Sequence, residues 1–471
     1  MGKHKYEIGL IGLGVMGRNL LLNMADHGYA VVGYDKDHGK VNALVAESEG
    51  RHIRGARVLE EYMALLKSPR AIIMLVPAGP TVDDVIRDIL PFLDAKDVLI
   101  DCGNSHFTDT NLRQKTLARA GIQLLGVGIS GGEHGARHGP SIMPGGEREA
   151  YERVRPLFEA VAARVQGEPC VAYMGSGSAG HFVKMVHNGI EYGLMELIAE
   201  TYDLMKRGIG LTDDELAGVY ESWNEGSFRS YLLEITAHIF HHVDEKTGRR
   251  IIDVILDEAR QKGTGKWTSQ TAMDLQVPVP IVDAAVSTRD LSGYRAERER
   301  ASRILTGPSP PYRGKRDLFI NSLEKALQAA FIIIYAQGMS LLRKASEAYG
   351  YSLNLADVAR IWRGGCIIRA ALLEDIRASY QRNSDLSNLL VEAALGGQVV
   401  ACQHELRGMV CSAVNLGIPV PGMMAALAYF DSYRSAWMPT SLIQAQRDYF
   451  GAHTYERVDE KGVFHTKWEE D

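Results

Sequence analysis

Cysteine is scarce in this chain. Among 471 residues there are five (Cys102, Cys170, Cys366, Cys402 and Cys411), an odd number with no C-x-x-C pair, which argues against a disulfide framework or a structural zinc site and leaves no metal expected. Basic charge is not in excess either. Lys and Arg total 52 against 58 Asp and Glu, a formal net charge of −6, so no overall positive field invites nucleic acid or an anionic membrane. Any anionic ligand must therefore be held by local clusters. Long apolar runs are missing: the richest, "AAFIIIYA" at 329–336, is too short to cross a bilayer. The opening "MGKHKYEIGL" has no apolar leader segment and sets Tyr6 where an N-myristoylation pattern needs Ser or Thr. Cytoplasm is the expected compartment.

What is present is ordinary globular material, 46% hydrophobic and 23% charged, enough for two or three domains with a substantial core. Over the first 178 residues, "YEIGLIG" (6–12), "YAVVGYD" (29–35), "AIIMLVP" (71–77), "DVLIDCG" (97–103) and "IQLLGVG" (122–128) read as buried strands. Amphipathic stretches ending on glycine, such as "GRNLLLNMADHG" and "DTNLRQKTLARAG", separate them. Alternating strand and helix predicts a parallel, doubly wound α/β domain of the Rossmann type over 1–178. Over 179–434 helical periods dominate, with two long helices in "FVKMVHNGIEYGLMELIAETYDLMKRGIG" and "FINSLEKALQAAFIIIYAQGMSLLRKASEAYG" whose similarity hints at an internal duplication. "TGPSPPYRGK" (306–315) is a candidate connection between the halves. The last stretch, 435–471, is polar and aromatic with little core of its own, and needs another surface to settle on.

The first chemical motif is Gly12-Leu13-Gly14-Val15-Met16-Gly17, a G-x-G-x-x-G between a predicted strand and a predicted helix. In that context its glycines let a dinucleotide pyrophosphate approach backbone N–H groups at a helix N-terminus. Asp35 ends the second strand about twenty residues later, where an acid bonds the adenosine ribose hydroxyls and repels the extra phosphate of NADP. Lys36 beside it can offset that repulsion. Asp35 as a helix N-cap is the plainer alternative. "DCGNS" (101–105) falls at a strand C-terminus, the ligand-binding edge of such sheets. The glycine-dense stretch 126–146, with Ser130, Gly131 and Gly132, reads either as a substrate loop against the nicotinamide or as merely flexible chain.

In "RQKGTGKWTS" (260–269), Lys262, Thr264 and Lys266 surround two glycines. It is no Walker motif, yet it suits a terminal phosphate as well as it suits a solvated basic turn. The helix "GHFVKMVHNGIEYG" carries Lys184, His187, Asn188 and Glu191 at spacings of three and four, hence on one face. A solvent-facing salt-bridged stripe and an acid–base site compete there. The Rossmann-type context before it and the phosphate-suited turn after it favour the second.

These motifs together resemble the 6-phosphogluconate dehydrogenase family from about residue 6 to 468. The resemblance is carried by "DCGNS", "SGGEHGARHGPSIMPGG", "GHFVKMVHNGIEYG", "QKGTGKW", "RGGCIIR" and "LIQAQRDYFGAHTYE". It implies a Rossmann-like domain, a large all-helical domain with an internal duplication, and a homodimer whose C-terminal tail enters the partner subunit. The activity it implies is oxidative decarboxylation of 6-phosphogluconate with NAD or NADP. Lys184 would then be the general base and Glu191 the acid. Asn104, Ser130, Gly131, Gly132, His187, Asn188, Tyr192, Lys262, Thr264 and Arg289 would hold substrate, joined by Arg447 and His453 of the partner subunit. Gly12 to Gly17, Asp35, Lys36, Asp37, Val76, Pro77, Ala78 and Asn104 would line the cofactor.

The chain departs from the family pattern at the cofactor. NADP-dependent members end the second strand in Asn-Arg-Ser/Thr and carry "LVKAG"; here the residues are Asp35-Lys36-Asp37 and "LVPAG", with Pro77. A preference for NAD, or at least use of both cofactors, is expected. Cys102 and His134 replace the usual glycine and glutamate of their motifs without touching the proposed acid–base pair. A shorter β-hydroxyacid dehydrogenase and a non-catalytic dinucleotide-binding regulator are the competing readings. The former lacks the "QKGTGKW" and "AQRDYFGAH" elements, and the latter has no use for both Lys184 and Glu191.

Overall fold

The structure, a computed structural model, describes residues 5–308 and 310–468. The opening residues 1–4, Ser309 in the proline-rich connection and 469–471 of the tail lie outside the described residues. Seven strands form one sheet: β1 (Ile8–Ile11), β2 (Val31–Tyr34), β3 (Ile53–Ala56), β4 (Ala71–Met74), β5 (Val98–Asp101), β6 (Gln123–Ser130) and β7 (Ser141–Gly145), in the order β3-β2-β1-β4-β5-β6-β7. All pairings are parallel except β6 with β7. Helices α1 (Val15–Asp26), α2 (His38–Ala46), α3 (Leu59–Leu65), α4 (Pro80–Ile89), α5 (Phe107–Ala118), α6 (Gly132–His138) and α7 (Arg148–Val161) accompany the sheet.

The aliphatic runs are continuous because both faces of the central strands are covered. Leu10, Val31 and Ile73 pack with Leu20 and Leu21 of α1 and Phe158 of α7, whereas Ile11, Val32 and Ile72 pack with Tyr62 of α3 and Val85 of α4. Two strands of this sheet escaped the sequence reading. β3, "IRGA", is an edge strand with an exposed arginine and no apolar run. β7, "SIMPG", lies inside the glycine-dense stretch, so 126–146 is an ordered strand–helix–strand unit and not a flexible loop.

After a short hairpin of β8 (Arg164–Val165) and β9 (Glu168–Pro169) the chain is helical. The helices are α8 (Ala179–Asp203), α9 (Asp213–Glu225), α10 (Tyr231–His241), α11 (Thr264–Asp274), α12 (Pro280–Ser292), α13 (Arg295–Ile304), α14 (Arg316–Tyr349), α15 (Leu355–Trp362), α16 (Leu372–Arg382), α17 (Ala393–Leu416), α18 (Pro421–Tyr433) and α19 (Thr440–Gly451). The two long helices predicted from the sequence are α8 and α14, and they pack on each other. At 34 residues α14 is long and apolar enough to cross a membrane, but its "AAFIIIYA" run is buried in the protein's own core.

The duplication shows in the capping. α12 and α18 both start on a proline after a valine, "VPVP" and "IPVP", and pack together. The N–H of Ile281 in α12 donates to Gln337 of α14 at 3.2 Å. Reciprocally, Gly422 and Met423 of α18 donate to the buried Glu200 of α8. Each half thus caps the other's proline-started helix, as two halves related by a two-fold axis would do.

The tail is organised differently. Asp448 accepts from the N–H groups of Thr454 (2.9 Å) and Thr466 (3.0 Å), from the Trp468 indole (2.9 Å), and bonds His465 (2.9 Å). These donors hold its carboxyl down at about 2, against the upward push of local burial. No described residue after Phe430 joins the apolar core, and Trp437, Leu442, Phe450 and Val463 are exposed.

Candidate active site

At the end of β1 the backbone turns at Gly12, where φ is +100° and a β-carbon would lie 2.4 Å from the Leu75 carbonyl oxygen. A β-carbon on Gly17 would fall 1.8 Å from the Gly12 carbonyl oxygen. Only glycine lets α1 start this close to the turn, which leaves a cradle for phosphate at the helix N-terminus. Leu13 is buried, Met16 partly buried and Val15 exposed. Beside the turn lies a cleft of about 380 Å³ lined by Gly12, Gly14, Asp35, Lys36, Val76 and Pro77 among others. Ala78 is exposed just beyond Pro77.

Asp35 is not a helix cap. It accepts the N–H of Leu13 (2.8 Å) and of Asp37 (2.9 Å), while Asp37 caps α2 through the N–H of Gly39 (2.8 Å). The carboxylate of Asp35 is thereby locked to the glycine turn. Lys40, one turn into α2 and unnoticed in the sequence, stands 3.5 Å from it. Lys36 reaches across to Asp88 of α4 at 2.9 Å.

On the far side of the sheet, glycines bring α8 against β6 and β7. A β-carbon on Gly128 would lie 2.4 Å from that of Lys184, and one on Gly180 would lie 2.2 Å from the carbonyl oxygens of Gly126 and Met143. His181 anchors the helix start, bonding Thr110 (2.7 Å) and the Asp101 carbonyl (3.0 Å). Asp101 itself organises "DCGNS": it accepts from Gly103 N–H (3.0 Å) and the Ser105 hydroxyl (2.6 Å), leaving Asn104 exposed past the end of β5. Asn104, Ser130 and the glycine turn all lie at the carboxyl edge of the parallel strands, where such sheets bind ligands.

The polar stripe of α8 is buried: Lys184, His187 and Asn188 are 7%, 0% and 8% exposed. Among the described residues the Lys184 amine has no hydrogen-bond or ion-pair partner, and burial lowers its pKa against the pull of Glu191. His187 packs edge-on against Trp362 and bonds Ser130 (3.2 Å) and Asn188 (3.1 Å). Burial, aided by Lys184, holds its imidazole neutral, well below its ordinary pKa. Assigned with the proton on Nδ1 toward Asn188 Oδ1, it accepts the Ser130 hydroxyl at Nε2. Glu191 is the most open of the four, and burial raises its carboxyl pKa against Lys184 and Arg289. A lysine inclined to lose its proton thus faces the same site as a glutamate inclined to keep one, as proton exchange near neutral pH requires.

The phosphate-suited turn stands beside the same helix. The N-terminus of α11 begins at Gly263, φ +97°, with Thr264 buried and Lys262 exposed. Thr268 of α11 ties to the Met185 carbonyl at 2.9 Å. A β-carbon on Gly265 would strike the Tyr192 ring at 2.3 Å, and the Arg289 guanidinium lies over that ring, 3.6 Å from its centroid. A β-carbon on Gly131 would lie 2.6 Å from the Gly365 carbonyl oxygen, and Gly132 is exposed at the start of α6. Arg447 and His453 are not gathered here; they contact Gln444 and Phe450 within the tail. The sequence reading also passed over Trp362 and Cys366, although "RGGCIIR" had marked the neighbourhood. Cys366 is buried, and its thiol, held up at about 12 by burial, feels the Lys184 charge.

A dinucleotide cradle and a buried amine–carboxyl pair on one sheet edge define a dinucleotide-dependent oxidoreductase. Residues 7–175 match the family described as the NAD binding domain of 6-phosphogluconate dehydrogenase, and 180–468 match its C-terminal domain. The chain belongs to the 6-phosphogluconate dehydrogenase family. It is 50% identical to the NADP(+)-dependent, decarboxylating 6-phosphogluconate dehydrogenase of Bacillus subtilis, over 98% of this chain and 99% of that one. It is 48% identical to the decarboxylating enzyme of Escherichia coli K12, with the same coverage. Among solved structures, the Plasmodium falciparum 6-phosphogluconate dehydrogenase, studied apo and with NADP+ or 6-phosphogluconate, matches with a TM-score of 0.95 at 41% identity, covering 98% of this chain and all of that one. These full-length matches disfavour the reading as a shorter β-hydroxyacid dehydrogenase. They lend no support to a preference for NAD.

Proposed function

We infer that the chain oxidises and decarboxylates 6-phosphogluconate to ribulose 5-phosphate and carbon dioxide, reducing a nicotinamide dinucleotide. The observation that carries this is the buried amine of Lys184, without a partner among the described residues, beside the raised-pKa carboxyl of Glu191. The cofactor, when bound, takes hydride from C3 of the sugar acid. Lys184, entering neutral, accepts the proton of the 3-hydroxyl. The resulting β-keto acid loses its carboxylate readily once its ketone oxygen is protonated, and the lysine returns its proton there. Glu191, about two helical turns or ~10 Å further along, protonates C1 of the enediol while the again-neutral Lys184 takes the proton of the adjoining enol hydroxyl, leaving the ketone of the product. Ser130, Gly131, Gly132, His187, Asn188 and Asn104 hold the carboxylate and hydroxyls. Tyr192, Lys262, Thr264 and Arg289 clamp the phosphate end.

Several finer readings belong with this one. The chain divides at residues 178 and 434, supported by the change from sheet to helices and by the coreless tail. It forms a cytoplasmic homodimer in which Arg447 and His453 of the partner subunit complete each site, which explains an apolar tail surface that no described residue of its own chain covers. Gly12 to Gly17 cradle the pyrophosphate, Asp35 the adenosine ribose, and Val76 to Ala78 the ring side. The preferred cofactor is NAD. Among the described residues that line the cleft, Lys40 faces Asp35 and Lys36 faces Asp88, so neither cation is left over for a 2′-phosphate. Initial rates with 6-phosphogluconate against NAD and NADP, with carbon dioxide measured alongside, test both parts. No carbon dioxide release with either cofactor overturns the reaction. A kcat/KM for NADP about tenfold above that for NAD, ~1.4 kcal/mol, overturns the preference.

A further inference from the structure

Across the cofactor cleft, the ammonium of Lys36 and the carboxylate of Asp88 meet at 2.9 Å. They come from opposite walls. Lys36 stands just past the end of β2, where the adenosine ribose of a dinucleotide lies in this sheet topology. Asp88 is next to the last residue of α4. A carboxylate in the last turn of a helix points its charge at the negative end of the helix dipole and is disfavoured there. Both residues line the cleft, and their bridge draws the ammonium from the β2 wall toward α4. Lys36 is otherwise unencumbered, with a side chain 70% exposed.

We propose that Asp88 is a specificity-determining residue: it holds Lys36 away from the ribose 2′-position and so denies the cleft its cation for a 2′-phosphate. The inference deepens the NAD preference and rests on the reading of this cleft as the dinucleotide site. Asp35 cannot supply discrimination alone. Its carboxylate is tied to the backbone of Leu13 and Asp37 and faced by Lys40, so its charge is already partly answered. Lys36 is the one lysine at the strand end whose partner stands on the opposite wall, and removing that partner frees it without disturbing the glycine turn.

The test is binding as well as turnover. In Asp88→Asn, adenosine 2′,5′-bisphosphate is expected to bind about tenfold more tightly by calorimetry, because a freed ammonium forms a charge-assisted bond to phosphate. Binding of 5′-AMP stays near native, and the NADP/NAD ratio of kcat/KM rises in parallel. In Lys36→Ala/Asp88→Asn the gain disappears. The pair is a surface bridge contributing little to stability, and Asp88→Ser provides a second variant with the same expectation. An unchanged affinity for the bisphosphate in both Asp88 variants overturns the proposal, as does an equal gain in the double variant. Because the nucleotides bind without turnover, an enzyme inactive on 6-phosphogluconate leaves this test intact. Failure of the native chain to bind 5′-AMP marks instead the failure of the dinucleotide site.

Discussion

Gly128 of β6 and Lys184 of α8 approach so closely that a β-carbon on the glycine would lie 2.4 Å from that of the lysine. The lysine owes its place to that missing carbon. Substituting Gly128→Ala must push α8 off the sheet, and displacements of about 1 Å in a reacting group cost on the order of a hundredfold in rate. The variant is expected to lose kcat by about that factor while binding dinucleotide near normally, since the cradle at Gly12 lies on another strand. Steady-state rates with calorimetric cofactor binding check it, and a near-native kcat contradicts the packing argument.

The amine of Lys184 must be neutral to take a proton, and burial lowers its pKa from 10.5. Activity should therefore rise with pH through that lowered value, giving the acidic limb of the kcat/KM profile. Lys184→Ala and Lys184→Arg, the latter unable to shed its proton, should each lose about 10²–10⁴-fold in turnover and keep cofactor affinity. Retained turnover in the arginine variant rules out a proton-accepting role.

Glu191 acts in the opposite sense. Burial raises its carboxyl from 4.5, so the proton-donating form persists to higher pH and is lost as pH climbs further. Glu191→Gln is expected to cut turnover by about 10²–10⁴-fold and to slow incorporation of solvent deuterium at C1 of the product. If product forms at the native rate with deuterium at C1, another group supplies that proton.

Glu200 caps α18 from inside the helical core, and burial raises its carboxyl from 4.5 to about 8 in spite of the two N–H groups it accepts. The folded chain therefore holds this proton where the unfolded chain has lost it. Its contribution is full below pH 4.5 and declines until about pH 8, by up to ~5 kcal/mol for a shift of this size. Glu200→Gln should show a flatter melting temperature between pH 5 and 8 than the native chain. Parallel profiles dismiss the assignment.

If the tail acts in trans, two crippled chains can repair one another. Mixing Lys184→Ala with Arg447→Ala subunits creates heterodimers in which one site has both native groups. Random exchange should then restore about a quarter of native activity from nearly inactive parents. A mixture no more active than its components confines Arg447 to its own subunit or to no role.

The sequence by itself determined the sheet-then-helix order, because strand and helix periodicities depend only on neighbouring residues. It also determined the glycine turn of Gly12 to Gly17 and the single face that joins Lys184 to Glu191, since both are local geometry. It misled where the meaning of a residue lay across space. Gly126, Gly128 and Gly145 looked like loop material, yet they are sites of close contact between the sheet and α8, which no local pattern distinguishes. Asp35 looked like a candidate cap, but the chain turns so that Asp37 takes that position. Lys40 and Trp362 carried no signal, and Cys366 only its place in "RGGCIIR", since their importance comes from elements far apart in the chain. Tertiary structure alone decided that the α8 stripe is dry and not solvated, and burial is what moves the pKa values of Lys184 and Glu191 toward one another.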